Sequence, residues 1–263
     1  MYKVIIFILF LIPMVSFGQD FNRHFNSLHL NGSTTIYDYN NKKWIFTDSL
    51  DAEKGTLPAS TFKIPNSLII LESKVVANEK EIIKWDGTEK SHLGMVIEAW
   101  NQDTDLETAF KNSTVWFYVE ASKKIKREQY IRTLQKLNYG NGNLKEKGND
   151  FWNYGDFTVT PKNQIEYLIK LYENRLPFSK KNISIVKRIM ISESSDSLTF
   201  RGKTGWTRKN GQDIGWWVGY LETNDNVYFF ATRLTKDKNE KNPDFLSGRK
   251  EVTKRILKEI QAY

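Results

Sequence analysis

The sequence predicts a mixed α+β fold of the sandwich type: a central antiparallel sheet flanked by helices, with a mostly helical subdomain beside it. Three observations predict it. Near the start, two β-rich runs, Thr34-Thr35-Ile36-Tyr37-Asp38-Tyr39 and Trp44-Ile45-Phe46-Thr47, are joined by Asn40-Asn41-Lys42-Lys43, which is turn material. Near the end, three apolar runs are separated by Asn210-Gly211 and Asn224-Asp225-Asn226, and Asn-Gly is a strong two-residue hairpin signal. Between these regions the apolar residues recur mostly at helical spacing.

Taken in order, Phe21, Phe25 and Leu28 predict a short first helix. The hairpin follows. Pro58 then stops any helix upstream, and Ser60 or Thr61 is placed to cap a helix running through Leu68-Ile69-Ile70-Leu71. That helix is apolar nearly all round, which predicts burial. Helical segments are expected over Ile97–Trp100, Leu106–Asn112, Trp116–Ile125, Tyr130–Leu137 and Ile165–Tyr172, and a loop over Asn138–Asp150. Leu198–Trp206, Ile214–Tyr220 and Val227–Leu234 form the meander, and Val252, Ile256 and Ile260 stripe a last helix. The sheet subdomain therefore draws on residues 19–73 and 192–263, and the helical subdomain on 74–191. A cleft between them is the natural site.

Residues 1–18 read as an export signal. Lys3 is the positive end, Val4–Ile12 is an unbroken apolar run, and Ser16-Phe17-Gly18 offers small residues for cleavage before Gln19. The run is short for a membrane span, which needs about 20 residues. The expectation is a soluble exported protein, periplasmic in a bacterium, with residues 19–263 as one domain. The chain has no cysteine, so neither a disulfide nor a lipid-modified cysteine is available. Its net charge is +8, but the lysines are interleaved with acids and no basic arm or finger spacing occurs, which argues against nucleic acid. His24, His29 and His92 are dispersed and predict no metal site.

Ser60 and Lys63 lie three residues apart, so at the mouth of a helix both point from one face. A serine hydroxyl needs a base before it attacks. A lysine in an apolar pocket can lose its charge and act as that base, or carry a modification that does. Ser-x-x-Lys alone is weak: Ser184–Lys187 and Ser247–Lys250 repeat it, the first at an expected exposed helix face and the second at a helix start. Three further patterns select the first copy: Ser113-Thr114-Val115, Tyr139-Gly140-Asn141 and Lys203-Thr204-Gly205. Ser-x-x-Lys combined with Lys-Thr-Gly is the signature of serine enzymes that recognise penicillin.

In these residues, in their order and across nearly the whole chain after residue 18, the sequence resembles the class D β-lactamases, or oxacillinases. The resemblance extends to Phe151-Trp152, Gly215–Gly219 and Gly248-Arg249. It implies a penicillin-binding transpeptidase-like fold and hydrolysis of penicillin-type β-lactams through an acyl-enzyme on Ser60, which gives resistance. It implies that Lys63 is N-carboxylated by carbon dioxide or bicarbonate and serves as general base, with no other cofactor, and that Trp152 holds the carbamate. Val115 stands where class A enzymes carry a polar residue and would keep Lys63 dry. Ser113 would relay a proton to the departing nitrogen. The backbone N–H groups of Ser60 and Trp206 would hold the oxyanion. Tyr139, Lys203, Thr204, Gly205, Trp206 and Arg249 would line the substrate side, Lys203 and Arg249 meeting the substrate carboxylate. The chain departs from the family at Asn153, where members usually carry an apolar residue. A homodimer is left open. The rival readings are a β-lactam sensor domain, which acylates without turnover and sits behind membrane spans, and a DD-peptidase, which usually carries Asn where this chain has Val115.

Overall fold

The computed structural model describes residues 20–146 and 148–263. The expected export signal therefore lies outside the described residues. In chain order the elements are α1 (Asn22–Asn26), β1 (Asn31–Asp38), β2 (Lys43–Phe46), α2 (Lys63–Glu72), β3 (Ile82–Ile83), β4 (Ser91–His92), β5 (Met95–Val96), β6 (Thr104–Asp105), α3 (Leu106–Lys111), α4 (Val115–Lys123), α5 (Arg127–Leu137), α6 (Pro161–Tyr172), α7 (Lys180–Ile189), β7 (Ile191–Ser194), β8 (Leu198–Lys209), β9 (Gln212–Thr223), β10 (Val227–Asp237) and α8 (Phe245–Glu259).

Six strands make one antiparallel sheet in the order β2-β1-β10-β9-β8-β7. The two-residue Asn210-Gly211 turn sets the β8–β9 register, with Lys209 opposite Gln212. Both turn residues have positive φ, 50° and 77°, which asparagine and glycine adopt at least cost. β9 is buried over nearly its whole length because both sheet faces are covered. Its side chains alternate between two cores. Trp216, Val218 and Tyr220 join the large core that runs into the helical region. Trp217 and Leu221 join a smaller core with Phe25 of α1 and Val252 and Ile256 of α8.

Several expected bounds move. The first helix ends at Asn26, before Leu28. Ser60 and Thr61 are not N-caps. They sit inside a 3₁₀ turn, Ala59–Phe62, that runs straight into α2. Of the segment 97–100, a 3₁₀ turn at Glu98–Trp100 forms. α6, from the middle of the chain, packs on β1, β9 and β10 of the sheet, so it completes the sheet layer. The small β4–β5 hairpin was not legible as strand. Its turn residues Leu93 and Gly94 have positive φ, and leucine is not a residue that announces such a turn.

α2 is buried from Lys63 to Leu71, as its unbroken apolar sequence requires. Its polar residues are satisfied by neighbouring helices. Tyr130 Oη of α5 donates to Asn66 Oδ1 at 2.6 Å, and Ser67 Oγ donates to the Lys63 carbonyl at 2.7 Å and meets Tyr118 Oη of α4 at 2.8 Å. These bonds fix the helix that carries Lys63 against the helical region, while the turn before it faces the sheet.

Candidate active site

The nucleophile candidate stands on a constrained turn. Ala59, just before Ser60, has φ +52°, a left-handed conformation that costs a non-glycine residue about 1–2 kcal/mol. Three bonds hold it. Ala59 N donates to the Trp152 carbonyl at 3.0 Å, Thr61 Oγ1 donates to the Pro58 carbonyl at 2.6 Å, and Gln164 Nε2 donates to Thr61 Oγ1 at 2.8 Å. Strain retained by surrounding contacts is a mark of functional turns. Ser113 is likewise left-handed, at φ +57°, just ahead of Thr114, the N-cap of α4.

Lys63 Nζ donates to Ser60 Oγ at 2.9 Å. Lys63 is 1% exposed and its Nζ lies 4.9 Å from the centre of the Tyr118 ring. Burial pushes the amine down to about 7, and the charge of Asp150 works in the opposite direction. The Asp150 carboxyl is pushed up to about 7 by its own burial, opposed by Lys63 and by a hydrogen bond from Asn153. Near neutral pH the amine beside Ser60 is therefore available uncharged, which a plain surface lysine is not.

Across the cleft, β7 pairs with β8 only as far as Arg201. The stretch of β8 beyond it has no strand on its outer edge, and this edge faces the Ser60 turn. An ideal Cβ built on Gly205 would lie 3.2 Å from Ser60 N and 3.1 Å from the Pro58 carbonyl oxygen, so any side chain there would push strand and turn apart by a few tenths of an ångström. The Trp206 carbonyl accepts from His92 Nε2 at 2.9 Å, with the ring in the tautomer that carries hydrogen there. In an extended strand the N–H of a residue points to the same edge as its C=O. Trp206 N–H thus points into the cleft, on the side of Ser60 N.

Lys203 Nζ donates to Ser113 Oγ and, at 3.1 Å, to the Thr204 carbonyl. Lys203 is buried, and it is held well below the ordinary lysine range by burial first and then by Lys63, Arg249 and Lys250. Arg249 Nη1 donates to the Gly205 carbonyl at 2.6 Å, and burial lowers its guanidinium to about 10. Neither Lys203 nor Arg249 has a carboxylate partner within 4.0 Å among the described residues. Two cations without acids at a cleft wall suit an anionic ligand group.

The cleft holds about 220 Å³, and Ser60, Ser113, Val115, Thr204, Trp206 and Arg249 are on its walls. Met95, Ile97, Trp100 and Leu246 add apolar surface, and Met95 and Leu246 are exposed at 45% and 39%. A hollow of about 300 Å³ opens beside Lys203 and Thr204, but Ser60 takes no part in its walls. No cluster of three or more His, Cys, Asp or Glu with metal-holding geometry occurs among the described residues.

The structure thus brings Ser60, Lys63, Ser113, Val115, Lys203, Thr204, Gly205, Trp206 and Arg249 together. Trp152 lies behind them, fully buried and stacked on Phe62 with ring centres 5.3 Å apart. Its Nε1 is buried with no hydrogen-bond partner. Tyr139, expected on the substrate side, is not there. It is 1% exposed, packs edge-on against Tyr167, and donates to Gln164 Oε1 at 2.8 Å. Since Gln164 holds Thr61, Tyr139 steadies the Ser60 turn from behind. Sequence reasoning missed Asp150, Tyr118, His92 and Gln164, which come from four separate segments and follow no short motif.

The fold and this site define a class: a penicillin-binding transpeptidase-type domain built on Ser-x-x-Lys. The family model described as the penicillin binding protein transpeptidase domain matches residues 30–260. The chain is similar to β-lactamase OXA-48 of Klebsiella pneumoniae, 37% identical over 243 residues that cover 92% of this chain and 88% of that one. It is similar to the crystal structure of a class D β-lactamase from Sebaldella termitidis, with 43% identity, a TM-score of 0.87, and coverage of 93% and 96%. The regulatory protein BlaR1 of Bacillus licheniformis is 31% identical over 84% of this chain but only 36% of its own length. The chain belongs to the class D β-lactamases.

Proposed function

We propose that this chain hydrolyses penicillin-type β-lactams through an acyl-enzyme on Ser60, with Lys63 working in an N-carboxylated form, and so confers resistance. The observation that carries the reading is the buried 2.9 Å contact between Lys63 Nζ and Ser60 Oγ, made by an amine lowered to about 7. Ser60 Oγ attacks the lactam carbonyl, and the oxyanion is met by the N–H groups of Ser60 and Trp206. The Lys203–Ser113 hydrogen bond offers the departing nitrogen a proton through the Ser113 hydroxyl. Lys203, Thr204 and Arg249 receive the substrate carboxylate, and Met95, Ile97 and Leu246 its apolar side chain.

The orphaned Trp152 Nε1 supports carboxylation of Lys63. A buried indole N–H without an acceptor costs about 1–3 kcal/mol, and a carbamate oxygen is an acceptor that stays charged. When present, the carbamate supplies an anionic base both for the Ser60 proton and for the hydrolytic water. The apolar run Val4–Ile12 and the small residues before Gln19 support export to the periplasm with cleavage after Gly18. No helix among the described residues is long and apolar enough to cross a membrane.

The test mixes the purified protein with a chromogenic penicillin-type substrate. Many turnovers per protein, with a transient acyl mass on Ser60 and none in Ser60→Ala, are expected. A single burst with a lasting adduct refutes hydrolysis and leaves the sensor reading.

A further inference from the structure

We propose that His92 is a positioning residue for the oxyanion donor: it ties the β4–β5 hairpin, which carries Met95 at the cleft, to the strand that offers the Trp206 N–H. An apolar substrate side chain seated on the hairpin then raises turnover and not affinity alone. This rests on the hydrolysis reading above. The peptides on either side of the Trp206 Cα are each held by one side chain. The Gly205 carbonyl accepts from Arg249 Nη1 at 2.6 Å. In a trans peptide the N–H points opposite to the C=O, so this bond turns the Trp206 N–H toward the open edge of β8. The Trp206 carbonyl accepts from His92 Nε2 at 2.9 Å, which fixes the peptide that follows. Beyond it, Thr207 Oγ1 donates to the Asn153 carbonyl at 2.7 Å. No strand lies on the outer edge at Trp206 to take over the His92 bond.

His92 stands directly opposite Met95 in the hairpin, and Ser91 opposite Val96. Cross-strand partners show their side chains on one face, and both His92 and Met95 are on the cleft wall. The imidazole meets the Trp206 ring edge-on, with centres 5.7 Å apart at 82°, and lies 5.9 Å from the Trp100 ring. Trp100 is itself anchored: its Nε1 donates to the Asn112 carbonyl at 2.9 Å, and its carbonyl accepts from Trp116 Nε1 at 2.7 Å. A two-stranded hairpin is marginally stable alone, and this one pairs with no other strand. Among the described residues, the His92 bond is the one hydrogen bond that joins it to the six-stranded sheet. Burial lowers the imidazolium against the pull of the Trp206 carbonyl, so the ring donates as a neutral imidazole with its hydrogen on Nε2.

An apolar substrate side chain resting on Met95 and Ile97 restrains the hairpin, and the His92 bond passes that restraint to the Trp206 peptides. Binding energy from a part of the substrate remote from the lactam is then realised where the oxyanion forms. Energy realised in the transition state appears in kcat more than in KM.

The experiment compares wild type, His92→Phe and His92→Gln on two penicillin-type substrates, one with an aromatic side chain and one with a bare amine in its place. Phenylalanine keeps a ring against Trp100 and Trp206 and removes the donor, whereas glutamine keeps a donor of similar reach. With the aromatic substrate at saturation, stopped-flow acylation is expected to fall about tenfold in His92→Phe, a part of the roughly 10²–10³ that a lost oxyanion donor costs. KM is expected to change little, the bare amine substrate to lose less, and His92→Gln to recover most of the rate. In the acyl-enzyme, the infrared band of the ester carbonyl is expected at higher wavenumber in His92→Phe, because its hydrogen bonding weakens. A loss confined to KM, an equal loss on both substrates, an unmoved band, or no recovery in His92→Gln overturns the inference. ¹⁵N NMR of the substrate-free protein gives a readout independent of activity: a His92 proton on Nε2, and a Trp206 amide resonance displaced in His92→Phe, are expected. If wild type forms no adduct on Ser60, the hydrolysis reading fails. An unmoved Trp206 amide, or a His92 proton on Nδ1, separately overturns the positioning role.

Discussion

Replacing Trp152 by phenylalanine isolates the one donor that a carbamate on Lys63 would engage. Phenylalanine keeps an aromatic face against Phe62, whose ring stacks on Trp152 at 5.3 Å and 22°, and removes Nε1, which has no partner in the uncarboxylated site. In that state the variant sheds an unmet buried donor, worth about 1–3 kcal/mol, and gains a cavity that costs a comparable amount. Without bicarbonate the two proteins should therefore melt within a few degrees of each other, about 1 kcal/mol corresponding to roughly 2–4 °C at this size. In the carboxylated state the variant loses a hydrogen bond to a charged acceptor, about 1.5–3 kcal/mol. Half-maximal turnover should then need about 10- to 100-fold more bicarbonate. The assay is initial-rate hydrolysis of a chromogenic penicillin across a bicarbonate series at fixed pH and ionic strength. Equal half-saturation in Trp152→Phe and wild type refutes the assignment of Nε1 to a carbamate.

Lys63→Ala should lose turnover by about 10⁴-fold or more, with no recovery in bicarbonate, because the contact to Ser60 Oγ is the base itself; near wild-type rates would refute it. Gly205→Ala inserts a Cβ 3.2 Å from Ser60 N and should lower kcat about 10²-fold by opening the oxyanion gap, which stopped-flow acylation would register. Arg249→Ala should raise KM about tenfold for substrates bearing a carboxylate and little for an ester analogue; an equal effect on both would reduce Arg249 to a support for the Gly205 carbonyl. Lys63 reacts only as the neutral amine and is lowered to about 7 by burial, so activity should fall as pH drops through about 7, as a pH series in non-amine buffers would record.

The parts of the fold that were legible depend on local chemistry. The β8–β9–β10 meander follows from apolar runs and from Asn210-Gly211, whose backbone preference belongs to those two residues. Ser60 and Lys63 follow from helical spacing, and Lys203 from a motif that needs one strand only. Tyr139 misled because a motif names a residue without saying which way it points, and its ring is turned into the core. Asp150 was hidden for another reason. It closes a loop rich in glycine, asparagine and lysine, where a carboxylate is ordinarily solvated. It is half-buried next to the aromatic cluster that the following Phe151 and Trp152 form with Phe62 and Phe157, which is assembled only by the fold. Gln164 stands one residue before the expected Ile165–Tyr172 helix and Tyr118 inside the expected Trp116–Ile125 helix, and their polar atoms meet Thr61 and Ser67 through contacts 103 and 51 residues distant in sequence.

Why the site forms at this place follows from where one short strand stops. β7 covers β8 only through Ile191, Glu193 and Ser194, so Lys203 to Trp206 are left with an open edge. An open edge is ordinarily a liability for pairing with other chains. Here the Ser60 turn closes over it against Gly205, where a Cβ would be crowded to 3.1 Å from the Pro58 carbonyl oxygen, and His92 takes the carbonyl of Trp206 on that edge. That leaves the Trp206 N–H directed beside Ser60 N with no strand to receive it. The same truncation that would expose a sheet edge thus supplies the donor an oxyanion needs. Left-handed turns at Ala59 and Ser113 present the Ser60 and Ser113 hydroxyls to the same cleft. A longer β7, reaching Trp206, would satisfy the edge and remove the site without changing any residue of the motifs.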